Sequence, residues 1–170
     1  KIFTATEKAG FLAVTWLDAG TRNFYTVKKP IESPKDLKGL KIRVQQSPTN
    51  IEMMKLLGGS ATPMGFGDVY TALQSNIIDG AENNELALTD NGHGDVCKYY
   101  SYDMHQMVPD ILIGNLAFIE ELNEEERKIF EEGYKLVNKI QREEWVKAVS
   151  AAKEKAENEQ KVQFIYPDQE

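Results

Sequence analysis

Two arginines stand out among the residues of this chain that could do chemistry. Arg22 follows Gly20-Thr21 at the start of an extended run, and Arg43 lies between Ile42 and Val44 inside another. An arginine near the end of a strand points into the crevice where open α/β sheets take their ligands. Its planar fork matches a carboxylate through two parallel hydrogen bonds. Periodicity alone favours a plainer reading, an ion pair with a neighbouring Asp or Glu. Other chemistries have less behind them. His93 and His105 are the only histidines, and Cys97 is the only cysteine. Neither a G-x-S-x-G elbow nor an H-E-x-x-H helix occurs, and Gly65-Phe66-Gly67 lacks the third glycine and the preceding strand of a dinucleotide loop. Cys97, between Val96 and Lys98, reads as a small buried hydrophobe. The carboxylates of 124–126, 131–132 and 143–144 read as the solvated face of a helix. No catalytic residue, metal site or cofactor is therefore expected; an enzyme working through Cys97 and His105 is the alternative, and an acidic helix docking a partner through Glu143 and Glu144 a third.

The elements that must position the arginines follow from pattern and punctuation. Phe11–Trp16 suits a buried strand, and 22–27 a second strand ended by Lys29-Pro30. Ser33-Pro34 starts a short helical turn that Gly39 stops. Residues 40–44 alternate apolar and basic, which predicts a strand with one buried face. Ser47-Pro48 opens a helix through Ile51, Met54 and Leu57, stopped by Gly58-Gly59. A short extended piece at 61–62 precedes a helix over 67–74 with its stop at Asn76. Further strands are expected at 98–102, 110–118 and 162–165. From Asn123-Glu124-Glu125-Glu126, a capping-box-like start, apolar residues recur at helical spacing to about residue 159. Strands alternating with helices predict an α/β fold with a largely parallel sheet. Lys8-Ala9-Gly10 reads as the last turn of a helix with a C′ glycine, as expected of a processed or truncated chain.

Four stretches, in order, carry a resemblance: Lys38-Gly39-Leu40-Lys41-Ile42-Arg43-Val44, Ala61-Thr62-Pro63-Met64-Gly65-Phe66, Asp68-Val69-Tyr70-Thr71-Ala72-Leu73-Gln74, and Ile78-Asp79-Gly80-Ala81-Glu82-Asn83-Asn84. Together, across residues 10–166, they resemble the solute-binding proteins of tripartite ATP-independent periplasmic (TRAP) transporters, the DctP family. The resemblance implies a periplasmic-binding-protein-like, type II Venus-flytrap fold that captures an organic acid outside the cytoplasmic membrane and delivers it to a membrane permease. It implies Arg43 as the carboxylate clamp, Arg22 as a second arginine, Phe66 as an aromatic packing on the ligand, and Asn83 as an amide reaching the carboxylate. Gln46 falls where the family varies the side chain facing the ligand. Asn84 departs from the commoner proline, and D-G-A-E-N-N looks like the branch that binds hexuronates such as glucuronate and galacturonate, with a C4-dicarboxylate or 2-oxo acid as the alternative. Family members are longer. Residues 1–20 would then be a remnant of the first lobe with a connecting strand, 21–110 the second, ligand-binding lobe, and 111–170 a connecting strand, long helix and C-terminal strand. The location implied is periplasmic or extracytoplasmic, as an anchored lipoprotein in a Gram-positive source.

Composition narrows the partners. The 170 residues carry 20 Lys+Arg against 27 Asp+Glu, a formal net charge of −7, so no nucleic-acid partner is expected without a basic stripe. At 41% hydrophobic and 28% charged residues the chain can build a core. No apolar run approaches the ~20 residues of a membrane-crossing helix. A lone cysteine excludes an internal disulfide. With most of one lobe absent, exposed strand edges are expected to drive self-association of this chain.

Overall fold

The structure, a computed structural model, describes residues 5–167. It divides into two compact units, one of Lys1–Gly20 with Val108–Ala148, the other of Thr21–Met107 with Val149–Glu170. The second unit is built on a six-stranded sheet. In chain order its strands are β2 (Thr21–Thr26), β3 (Lys41–Val44), β4 (Ser60–Pro63), β5 (Gly80–Asn83), β6 (Tyr99–Met107) and β8 (Gln163–Ile165), arranged β4-β3-β5-β2-β6-β8. Pairing is parallel for β3 with β4, β3 with β5 and β6 with β8, and antiparallel where β2 meets β5 and β6. The largely parallel sheet expected from the sequence thus holds, with β2 alone reversed. That reversal brings the start of β2, and Arg22 with it, to the edge where β3 and β5 end.

Helix α1 (Pro48–Leu56) and α2 (Val69–Gln74) make the crossovers from β3 to β4 and from β4 to β5, as the proline and glycine punctuation predicts. Asn76 stops the second with a left-handed φ of 55°. The one-residue alternation of the sheet sorts two cores. Phe24, Ile31, Leu37, Ile42, Val44 and Met54 pack on one face, while Tyr25, Leu73, Ala81, Leu88 and Tyr100 are among those on the other. With both faces covered, β3 is not the half-exposed strand its alternation predicts: Ile42, Arg43 and Val44 are all buried and only Lys41 is exposed. Gly80 is required where it stands, because a Cβ there would lie 2.5 Å from the Tyr25 carbonyl oxygen across the β2–β5 ladder. Asp79 just before it accepts from the Lys41 amide at 2.9 Å and so fixes β5 beside β3.

Two short helices, α3 (Leu86–Thr89) and α4 (His93–Val96), precede β6; at four residues each they are too brief to leave a periodic signature. Strand β6 runs on to Met107, past the expected end at 102, because it is irregular: Ser101 faces Phe24 while Gln106 faces Arg22. Asp103 and Met104 lie in the extra stretch, Met104 with φ of 48°. Side chains stitch this bulge to β2, Asp103 Oδ1 accepting from the Phe24 amide and Asn23 Oδ1 from the Met104 amide, both at 2.9 Å.

The first unit holds an antiparallel ribbon of β1 (Phe11–Leu17) and β7 (Asp110–Asn115). Strand β1 is buried only at Ala13 and Thr15, leaving Phe11 and Trp16 exposed, so the fully buried strand expected there is a half-covered one: a two-stranded ribbon has one face to hide. The expected strand at 110–118 stops at Asn115, whose side chain accepts from the Phe118 amide and starts α5 (Leu116–Glu121). Helix α6 (Glu124–Asn158) begins on the expected capping box, Asn123 and Glu126 exchanging side-chain-to-amide hydrogen bonds of 3.0 and 2.9 Å. Along its predicted stripe, Gln141 bonds both the amide and the carbonyl of Asp18, each at 2.8 Å. Trp145 packs where Gly20 has no Cβ.

Candidate functional site

The sequence-predicted residues gather in the second unit at the edge where the parallel strands end. The register places Arg43 beside Ala81 and Ala81 beside Tyr25, so these share one face of the sheet; Arg22, Phe24 and Glu82 share the other. The two arginines occupy the same end from opposite faces, and their surroundings differ.

Arg22 is already matched with an acid. Its Nε and Nη2 grip the two carboxylate oxygens of Glu82, Nη2 also reaches the Glu82 carbonyl at 2.9 Å, and Nη1 donates to Asn83 Oδ1 at 3.2 Å. Glu82 is wholly buried. Burial alone would raise its carboxyl, but His105 and Arg22 together hold it below the usual range. His105, placed by the β6 bulge, stacks on Phe24 with centroids 4.3 Å apart and bonds Asp103 Oδ2 at 2.6 Å. Its Nε2 faces Glu82 at 3.7 Å, an ion-pair rather than a hydrogen-bond distance. Burial would lower this imidazole, and the two carboxylates outweigh it and raise it. The plainer sequence reading, an arginine paired with a neighbouring acid, is therefore realised at Arg22.

Arg43 is different. It is 3% exposed, and its Nε and Nη2 donate to the Met64 carbonyl at 3.1 and 2.9 Å. No carboxylate among the described residues lies within ion-pair distance of it. Burial lowers its basicity, the charge of Arg22 adding to that and Tyr25 and Glu82 opposing; a guanidinium keeps its proton regardless. Phe66, 40% exposed, lies over it, ring centroid 5.5 Å from the guanidinium carbon, and within 5.5 Å of the ring centroid of His93. Asn83 Oδ1 takes hydrogen bonds from Arg22 and from the Asn84 amide, which leaves Nδ2 as its donor. Gln46 is exposed just past the end of β3. Sequence reasoning gave no role to His93 or Tyr25, which stand behind Phe66; an isolated histidine after a glycine and a tyrosine in a strand carry no spacing signal.

A family model for bacterial extracellular solute-binding proteins, family 7 (DctP), matches residues 1–170. The chain belongs to this family. A TRAP periplasmic solute-binding protein from Anaerococcus prevotii, solved with bound α/β-D-glucuronate, is 69% identical with a TM-score of 0.95 over 99% of this chain and 55% of that one. Another from Chromohalobacter salexigens, with bound D-glucuronate, is 35% identical with a TM-score of 0.95 over 98% of this chain and 55% of that one. An uncharacterised protein of Salmonella typhimurium is 43% identical over 98% of this chain and 51% of its own length. This family-7 chain thus spans about half the length of the relatives it matches.

The α/β, periplasmic-binding-protein-like fold class read from the sequence agrees with the two solved neighbours, both TRAP periplasmic solute-binding proteins. Cys97 lacks what a catalytic thiol needs. It is wholly buried, and burial pushes its thiol up to about 12, Lys98 only partly opposing. His105 for its part is engaged by Asp103 and Glu82.

Proposed function

We propose that this chain supplies the carboxylate-clamping half of an extracytoplasmic solute-binding protein that captures a hexuronate and passes it to a TRAP-type membrane permease. The observation that carries the reading is Arg43, a buried guanidinium with no acid paired to it among the described residues. Burying an unpaired charge is costly, and a ligand carboxylate offers it the partner the fold withholds. Phe66 gives an apolar wall for the carbon skeleton, Asn83 Nδ2 and Arg22 Nη1 add donors beside it, and Gln46 faces the ligand at the position where the family varies its side chain. D-Glucuronate in the 69% identical Anaerococcus prevotii protein supports a hexuronate over a C4-dicarboxylate or 2-oxo acid.

Calorimetric titration of the full-length protein with D-glucuronate, D-galacturonate, a C4-dicarboxylate and a 2-oxo acid tests this. The expected order puts a hexuronate tightest. Arg43→Ala should cost about 2–5 kcal/mol of binding, roughly thirty-fold to several thousand-fold. Arg43→Lys should recover little, since a point charge cannot reproduce the fork. Unchanged affinity in Arg43→Ala would remove the anchor from the proposal.

A further inference from the structure

The wall of Arg43 and Phe66 continues into His93, and the proton on that imidazole can be placed. Tyr25 is wholly buried, so its hydroxyl hydrogen needs an acceptor. Among the described residues its hydrogen-bond partner is His93 Nδ1, at 2.8 Å. The hydroxyl therefore donates, Nδ1 accepts, and the ring hydrogen sits on Nε2. His93 Nε2 bonds no described residue, yet it is not one of the sealed, unpartnered polar atoms. In a residue 1% exposed, Nε2–H is thus a donor with no partner among the described residues. Phe66, 5.5 Å from both this ring and the Arg43 guanidinium, puts the imidazole beside the anchor. Burial, and after it the charge of Arg43, hold the imidazole down at about 4, so the ring is neutral at physiological pH.

We propose that His93 is a further ligand-contacting residue, donating Nε2–H to an uncharged oxygen, a hydroxyl or ring oxygen, of the acid held by Arg43. This rests on the anchoring role proposed for Arg43. A neutral imidazole in this tautomer can donate but cannot supply a second positive charge. It therefore favours a hydroxylated sugar acid, with an acceptor oxygen a few bonds from the carboxylate, over an aliphatic diacid that offers only another charge.

Nitrogen NMR of the histidine-labelled full-length protein, with the His93 signals assigned through the backbone, reads the ring hydrogen directly. With D-glucuronate at saturation, the His93 Nε2 resonance should shift and its hydrogen should exchange more slowly, while Nδ1 keeps its acceptor signature. His93→Asn, which has no donor at the Nε2 position, should weaken D-glucuronate about tenfold, the scale of one lost hydrogen bond. Tyr25→Phe removes the tautomer lock and should let hydrogen appear on Nδ1. An unmoved Nε2 at saturation, with Arg43→Ala still weakening binding, overturns this inference and leaves the anchor standing. Arg43→Ala binding as tightly as the parent overturns both. Should His93→Asn fail to fold, the spectra of the unsubstituted protein decide alone.

Discussion

At the scale of single residues, the two histidines act on stability with opposite sign. His93 has an ordinary value of 6.5 and sits at about 4 in the fold, so as pH falls below 6.5 the unfolded chain takes a proton that the folded one refuses. That loses stability at about 1.4 kcal/mol per pH unit, about 3 kcal/mol in all. His105 is raised above 6.5; its contribution is complete below 6.5 and disappears as pH rises through its folded value. Glu82 is held below 4.5, so its contribution is complete above 4.5 and is lost only under more acid conditions. Stability should therefore peak near pH 6.5, as urea midpoints between pH 4.5 and 8.5 would show. The acid limb should flatten in His93→Asn, and a profile rising steadily to pH 8.5 would contradict the assignment. None of this was legible in the sequence. Arg43 and Arg22 were visible as arginines in strands, but which of them has an acid depends on Glu82, sixty positions from Arg22 along the chain. Such a pairing is set by strand register, which spacing does not encode.

Helix and strand ends show the opposite balance. The capping box at Asn123, the proline starts at 34 and 48 and the left-handed stop at Asn76 could all be read directly, because a cap is a local hydrogen-bond requirement. What escaped was whatever is too short to repeat a period twice or is broken by tertiary stitching: α3, α4, α5 and the bulge in β6. Asn123→Ala should cost about 1 kcal/mol through the loss of that reciprocal box, read as a lowered urea midpoint. A second element-scale feature ties β8 to the long helix. Lys153 Nζ lies 5.5, 5.4 and 5.2 Å from the ring centroids of Tyr102, Phe164 and Tyr166 and bonds the Tyr166 hydroxyl. Lys153→Met keeps the stem but removes the charge. It should lower stability by about 0.5–2 kcal/mol and increase hydrogen exchange in residues 163–165. A variant as stable as the parent would reduce the cage to incidental packing.

At the scale of the whole molecule, large apolar side chains stand exposed. In the first unit Leu112 is 37% and Ile113 50% exposed on β7, and Phe118 is 51% exposed on α5; a two-stranded ribbon is marginal by itself. This 170-residue chain should therefore self-associate, with a scattering mass above that of one chain at micromolar concentration and unchanged by D-glucuronate; a clean monomer would contradict this. The ribbon has a further consequence, in time rather than in space. Strand β1 is made before its partner β7, which lies more than ninety residues downstream, and the whole six-stranded sheet except for β8 is translated between them. At about 5–20 residues per second on a ribosome, β1 waits for several seconds with nothing to pair with. In refolding from denaturant, the same separation makes the β1–β7 contact one of the longest loops to close, and a late one. Two-phase recovery follows, the sheet around Arg43 first and the ribbon second, with Tyr25 and Trp16 as the fluorescent reporters that would separate them.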